Sequence, residues 1–166
     1  KGKGAAEALS WICANRVVRG PGKLTYTQML NSRGGIECDL TVAQLTDELF
    51  YIVTGTGFRT HDFAWIADHI QPGLDATLTD VTEDWGTLSL MGPTSRDVLA
   101  KATRADVSNA AFPFGAAREI AIAGCKVRAL RVTYVGELGW ELHVPIAGIG
   151  EVFDALMALG GVTPVG

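Results

Sequence analysis

Apolar residues recur along the first half of this chain at two spacings, one typical of helices and one typical of strands. Helical spacing predicts a short first helix through Ala5, Leu9, Ile12 and Cys13. Leu24 to Leu30 alternates and is rich in β-branched and aromatic residues, and Phe50 to Thr54 is similar, so both are predicted strands. Thr60 to Ile70 returns to helical spacing. Its predicted apolar stripe consists of Phe63, Ile66, Ala67 and Ile70.

Strict alternation marks Ile36 to Val42 as a strand that returns from Leu24 to Leu30 through the glycine-containing segment Asn31 to Gly35. Successive side chains of a strand point to opposite faces. One predicted face is apolar and holds Ile36, Cys38, Leu40 and Val42. The other is polar and holds Glu37, Asp39 and Thr41.

The second half repeats this order after an extra strand at Thr87 to Met91. A helix is predicted after Pro93, which stands at a favoured helix start. Three strands and a helix follow, at Glu119 to Ile122, Val127 to Tyr134, Trp140 to Val144 and Ile149 to Leu159. Short glycine loops between strands require antiparallel pairing. The predicted fold class is therefore α+β, with two related halves of antiparallel strands and helices packed on the sheets.

Composition places this pattern in an ordinary globular chain. With 166 residues, 48% of them hydrophobic, residues 1–166 are expected to form a single domain. The formal net charge of −4 argues against nucleic acid and anionic membranes as partners. The chain has no apolar run of about 20 residues and no signal peptide, so we expect a cytoplasmic or organelle-matrix location. Since it lacks an initiating Met, we also expect a piece of a longer protein.

Common catalytic and metal-binding motifs are missing from the sequence. Cys13, Cys38 and Cys125 are odd in number and far apart, which is typical of buried free thiols in a reducing compartment. The three histidines, at positions 61, 69 and 143, have no second ligand at a familiar metal-binding spacing, so no metal site is expected. Phosphate-binding, dinucleotide-binding and nucleophile-elbow motifs are also absent.

Two acidic residues interrupt predicted strands. Asp39 lies midway along one, where Asp is disfavoured, and Glu141 interrupts the apolar positions Trp140, Leu142 and Val144. By pattern alone, both acids are best explained as residues of a solvated sheet face. A functional role stays open at this point.

Four segments of the chain nevertheless resemble one family. Tyr26 to Val42 closely resembles the folate domain of dimethylglycine and sarcosine dehydrogenases, which belongs to the glycine-cleavage T-protein (aminomethyltransferase) family. Leu90 to Pro93, Ala111 to Gly115 and Val132 to Leu142 resemble further segments of this family in the same order.

This resemblance implies a tetrahydrofolate site with Asp39 as the catalytic residue. It also implies cofactor contacts from two groups of residues. In the first half these are Tyr26, Met29, Thr41 and Gly55, and in the second half they are Tyr134 and Glu141. A carboxylate can accept two hydrogen bonds from the N–H edge of a pterin, and tyrosine rings offer apolar faces for its plane. We expect the two acids to reach one pocket that fits a flat heterocycle.

The function implied by the resemblance is capture of a one-carbon unit. An upstream FAD domain of the same chain would oxidise a methylated amine, and tetrahydrofolate here would trap the iminium or formaldehyde as 5,10-methylenetetrahydrofolate. Two alternatives remain, a non-catalytic folate-binding or scaffold domain and a folate-dependent demethylase. The resemblance implies a cytoplasmic location in a bacterium or a mitochondrial-matrix location in a eukaryote. The family's folate-binding arginine would follow Gly166, so the isolated chain is expected to bind folate poorly.

Overall fold

The computed structural model describes residues 1–165 and divides the chain into two compact units. The first unit is Lys1–Asp80 and the second begins at Val81. The two halves predicted from the sequence correspond to these units. No helix among residues 1–165 is long and apolar enough to span a membrane.

The first unit is a helix, a three-stranded antiparallel sheet and a second helix. Its elements are α1 (Ala5–Ile12), β1 (Lys23–Leu30), β2 (Ile36–Gln44), β3 (Phe50–Thr54) and, after a short 3₁₀ turn, α2 (Arg59–His69). The strand order is β1-β2-β3. The Asn31 side chain closes the β1–β2 hairpin because its Oδ1 accepts from the N–H groups of Arg33 and Gly35, at 3.0 and 2.9 Å. Gly34 supplies the positive φ of 79° that this reversal needs.

The second unit repeats this order with an added strand. Its elements are β4 (Trp85–Met91), α3 (Ser95–Ala102), β5 (Ala117–Ile122), β6 (Cys125–Leu130), β7 (Gly139–Pro145) and α4 (Ile149–Ala158). The antiparallel order is β4-β7-β6-β5, so the added strand β4 covers the edge of β7. A 3₁₀ turn precedes α4, as another precedes α2.

Each unit has its own hydrophobic core. In the first, α1 and α2 contribute Leu9, Ile12 and Ile66 to the apolar face of β1 and β2. In the second, Phe112 and Trp140 are fully buried and meet edge to face, with ring centroids 5.9 Å apart.

The predicted fold class is confirmed by this arrangement, and four details of the prediction are wrong. On α2 the stripe is rotated, because Asp62 and Ile66 are buried whereas Phe63 and Ala67 are exposed. Ile36 is 65% exposed, since the β1–β2 register shifts between Met29 and Leu30.

The other two differences concern the second unit. Strand β6 ends at Leu130, so Tyr134 lies in the loop that follows it and not on a strand. Cys125 is half-buried, whereas Cys13 and Cys38 are buried as expected; all three thiols are free.

Candidate functional site

The predicted catalytic residue Asp39 lies on the solvent-facing side of the β1–β2 ribbon. The register pairs Gln28 with Asp39 and Tyr26 with Thr41, so these four side chains share one face. The side-chain amide of Gln28 donates to Asp39 Oδ1 at 3.0 Å. The exposed Asp39 carboxylate is therefore held by a neighbour on the adjacent strand.

Tyr26 is a second partner of Asp39. A hydrogen bond to the Asp39 carboxylate, with some burial and the charge of that carboxylate, raises the pKa of Tyr26 above its ordinary value, while a hydrogen bond to Gln28 opposes the change. Tyr26 thus remains a neutral phenol near neutral pH. With 59% of the residue exposed, its ring face is open to a ligand.

Sequence reasoning missed Gln28. A loop from Asn31 to Gly35 alone would place Gln28 opposite Cys38, and the register shift between Met29 and Leu30 brings Gln28 opposite Asp39 instead. The sequence carries no signal for this shift, so the pair is identified only in the structure. A polar residue opposite a strand aspartate is a natural hydrogen-bond partner.

The other predicted contact residues of the first unit do not all lie on the Asp39 face of the sheet. Thr41 is half-buried on the Asp39 face, and Gly55 is exposed directly after β3. Met29 is fully buried, pairs with Cys38 and belongs to the hydrophobic core on the opposite face of the sheet. Since its side chain does not share the face of Asp39, we leave Met29 out of the proposed site.

Glu141 occupies β7 in the second unit, next to a buried histidine. Its side chain is 23% exposed, and Glu141 Oε2 lies 3.5 Å from His143 Nε2. His143 Nδ1 lies 3.2 Å from the hydroxyl of Thr87 on β4. The carboxylate is thus anchored on a strand that is paired on both sides.

Tyr134 is 97% exposed in the loop between β6 and β7. Arg131 fixes the start of this loop, because its guanidinium donates to Asn109 Oδ1 at 2.7 Å and to the carbonyl of Phe112 at 2.6 Å. The tyrosine therefore projects from a loop that is anchored at its root.

Cys38, His61 and Asp62 form a cluster that the sequence did not predict. Their ligand atoms lie within 4.8 Å of one another. The residues come from β2 and the first turn of α2. Because 23 positions separate Cys38 from His61, no short motif marks them.

A shallow open concavity of about 640 Å³ also lies on the second unit. It is formed by the end of α3 and by β5 with the turn after it, and its charged residues are Lys101, Arg104 and Glu119. None of the predicted contact residues lines it. The candidate site is therefore defined by the residues above and not by this concavity.

Comparison with known proteins identifies a matching family model and similar dehydrogenases. The family model described as "GCVT N-terminal domain" matches residues 1–166. Mouse mitochondrial sarcosine dehydrogenase is 41% identical over 96% of this chain and 19% of the relative. Rat mitochondrial dimethylglycine dehydrogenase is 33% identical over the same shares. The chain thus spans about a fifth of the length of these relatives.

A solved structure shows the same fold. The glycine cleavage system aminomethyltransferase T from Bartonella henselae has a TM-score of 0.81 with this chain at 26% identity. The match covers 95% of this chain and 41% of that protein.

Proposed function

The chain belongs to the GCVT N-terminal domain family, and we propose that it binds tetrahydrofolate and captures the one-carbon unit released when a methylated amine is oxidised. The product is 5,10-methylenetetrahydrofolate. The observation that carries this proposal is the exposed Asp39 carboxylate, oriented by Gln28 and Tyr26 within the segment Tyr26 to Val42.

Asp39 acts as a proton acceptor and as a charge partner. When formaldehyde is the donor, two folate N–H groups and CH₂O give two new C–N bonds and one water molecule. With tetrahydrofolate bound, the Asp39 carboxylate would stabilise positive charge that develops on a folate nitrogen and would accept the proton released there. Gln28 and Tyr26 keep the carboxylate in position, so little reorganisation is needed during the reaction.

Glu141 and the tyrosines serve binding. A carboxylate can accept two N–H groups from the pterin edge, and such charge-assisted bonds are stronger than neutral ones. Tyr26 and Tyr134 provide exposed ring faces with hydroxyl groups at their rims. Thr41 and Gly55 supply small contacts near the Asp39 face.

The oxidation itself is assigned to another part of the protein. The chain covers only 19% of sarcosine dehydrogenase and of dimethylglycine dehydrogenase, and the sequence contains no dinucleotide fingerprint. We propose that an FAD domain upstream in the same chain oxidises sarcosine, dimethylglycine or a similar amine. A cytoplasmic or mitochondrial-matrix location agrees with this chemistry.

The test uses the full-length protein with Asp39→Asn. With amine and tetrahydrofolate supplied, we expect methylenetetrahydrofolate formation to fall by roughly 10²–10⁴-fold, the usual contribution of a general acid or base. Amine oxidation with an artificial electron acceptor stays unchanged, and free formaldehyde accumulates. The matched control Asp47→Asn removes an exposed carboxylate between β2 and β3 and has no effect.

Two outcomes contradict the proposal. If Asp39→Asn binds tetrahydrofolate and forms the product at the wild-type rate, the domain is a non-catalytic folate-binding module. If methylated product accumulates on folate in place of methylenetetrahydrofolate, the protein is a folate-dependent demethylase. Failure of the wild-type protein to bind tetrahydrofolate would overturn both the catalytic and the binding role.

A further inference from the structure

The start of α2 and the middle of β2 bring three different metal-ligating groups together in the first unit. They are the thiol of Cys38, the imidazole of His61 and the carboxylate of Asp62, all within 4.8 Å of one another. Ligand atoms around a tetrahedral zinc ion are roughly 3.5 Å apart. Side-chain adjustments of about 1 Å would therefore close this set around one ion.

Asp62 is the unusual member of the cluster because it is buried. It is 2% exposed, and burying a carboxylate is costly unless a cation and hydrogen bonds compensate. The Thr54 hydroxyl donates to Asp62 Oδ2, and His61 Nδ1 lies 2.9 Å from Asp62 Oδ1. His61 can therefore pair with this carboxylate when it is protonated, and a metal ion bound by Oδ1 and Nδ1 would replace that ion pair.

The donor set indicates which metal fits. A thiolate with an imidazole and one carboxylate suits zinc, whereas magnesium and calcium favour oxygen ligands alone. Cysteine binds zinc as a thiolate, so binding through Cys38 Sγ would release the thiol proton.

The outer contacts of the cluster match those that support metal ligands in proteins. A metal-bound histidine usually directs its second nitrogen at a carboxylate or carbonyl. Here His61 Nε2 lies 3.6 Å from Glu37 Oε2, and the Asn31 amide donates to Glu37 Oε1 at 2.7 Å. Thr54 plays the corresponding role for Asp62. The Thr54 hydrogen bond thus orients Asp62, Glu37 lies at ion-pair distance from His61, and the half-exposed His61 ring leaves an entry path.

We propose that Cys38, His61 and Asp62 bind one zinc ion, through Sγ, Nδ1 and Oδ1, with a fourth position open to water. Glu37 and Thr54 are positioning residues that orient His61 and Asp62. The site involves neither the Asp39 carboxylate nor folate, so it stands or falls independently of the proposed function.

The experiment measures zinc retention in the full-length protein. The protein is stripped with a chelator, dialysed against micromolar ZnCl₂, and its zinc content is determined by elemental analysis. The decisive variant is His61→Gln, because the His61 side chain is half-exposed and we expect its replacement to preserve the fold. His69→Gln is the matched control, since His69 is exposed on the same helix and stacks on Trp65.

The proposal predicts that the wild type retains one more zinc equivalent per chain than His61→Gln, and that His69→Gln equals the wild type. Cys38→Ser loses the same equivalent, whereas Cys125→Ser keeps it. Glu37→Gln weakens zinc binding by roughly 10–100-fold, the usual effect of removing an outer-shell partner. Zinc also raises the thermal stability of the wild type and of Cys125→Ser, but not that of His61→Gln.

Equal zinc content in the wild type and His61→Gln would overturn the proposal and leave an ion pair between His61 and two carboxylates. Equal loss in His61→Gln and His69→Gln would likewise overturn it, because the zinc would then not depend on the cluster. Should Cys38→Ser fail to fold, the comparison of His61→Gln with His69→Gln still decides whether the cluster binds zinc.

Discussion

The two units share one order of elements, a helix, three antiparallel strands, a 3₁₀ turn and a helix, yet they hold their acidic residues differently. In the first unit, the exposed Asp39 on β2 pairs with Gln28 of β1 but lies outside the β2–β3 pairing, which begins at Leu40. In the second unit, Glu141 on β7 pairs with residues of both β4 and β6. The repeated fold therefore does not repeat the surroundings of the two acids.

The added strand β4 explains the difference in surroundings. Residues of β3 are all half-buried, whereas β7 is buried at most of its positions, including His143. Glu141 thus has fixed neighbours, which suits a binding contact whose geometry does not change. Asp39 is reached from solvent and has two donor partners, which suits proton transfer.

The largest predicted effect concerns the core of the second unit. Trp140→Ala removes the largest fully buried side chain, which packs against Phe112 and the guanidinium groups of Arg96 and Arg131. We expect a loss of about 3–5 kcal/mol in unfolding free energy, as for other buried aromatic residues. Hydrogen exchange of the β5 to β7 amides in the full-length protein measures it.

Trp140→Phe is the control for this prediction. The indole Nε1 is buried and has no hydrogen-bond partner within residues 1–165, so the replacement removes an unsatisfied donor along with some packing. Its cost should be far smaller than that of Trp140→Ala. Equal costs would mean that the ring contributes little to the core.

The second prediction separates the roles of the two acids. Glu141→Gln should weaken tetrahydrofolate binding by roughly 10–100-fold, because one charged acceptor contributes about 1.5–3 kcal/mol. Turnover at saturating folate should change little, unlike that of Asp39→Asn. Calorimetric titration of folate and single-turnover rates measure the two effects in the full-length protein.

Glu137→Gln serves as the control because Glu137 is an exposed acid in the loop before β7. Its folate affinity should equal that of the wild type. A fall in turnover for Glu141→Gln as large as that for Asp39→Asn would remove the distinction between the two acids.

The two units also show which structural features could be predicted from the sequence and which could not. Alternation from Cys38 to Val42 correctly assigned the two faces of β2, since period-two patterns report burial directly. The α2 stripe was wrong because Phe63 and Ala67 fit a helical period as well as Ile66 does. The polar member of the buried stripe, Asp62, is explained by its contacts with Thr54 on β3 and with His61, the residue before it on α2.

The residues of the candidate site could be predicted only from the resemblance of the sequence to the family. Asp39 and Glu141 look like residues of a solvated sheet face by pattern alone, and no spacing rule indicates a folate. Tyr134 was placed on a strand because Val132 and Thr133 extend the alternation. In the structure, the chain leaves the sheet after Leu130, where Arg131 bonds to the Phe112 carbonyl and Asn109.

The third prediction tests the buried acid of the first unit. Asp62→Asn in zinc-free protein should lower the unfolding free energy by about 1–3 kcal/mol, because the amide no longer matches both the Thr54 hydroxyl and His61. Amide exchange in β2 and α2 measures the change. Asp68 is an exposed residue on the same helix, so Asp68→Asn should lower the unfolding free energy far less. Equal losses would show that the contacts of the buried Asp62 carboxylate do not stabilise the fold.

The smallest predicted effect is a change in the titration of Tyr26. Because the Asp39 carboxylate disfavours the phenolate, the Tyr26 pKa is raised in the wild type, and Asp39→Asn should return it towards the ordinary value of about 10. The neutral phenol is favoured in the folded state. Its contribution to stability is therefore complete below the unfolded pKa of about 10 and is lost as pH rises through the folded pKa.

Carbon-13 NMR of ring-labelled tyrosine, with Tyr26→Phe used to assign the signal, follows this titration directly. Asp47→Asn should leave the Tyr26 curve unchanged, since Asp47 lies in the turn between β2 and β3. An identical Tyr26 curve in the wild type and Asp39→Asn would show that the two side chains are not coupled in solution. Asp39 would then lose one of the two partners that distinguish it from Glu141, and its proposed catalytic geometry would depend on Gln28 alone.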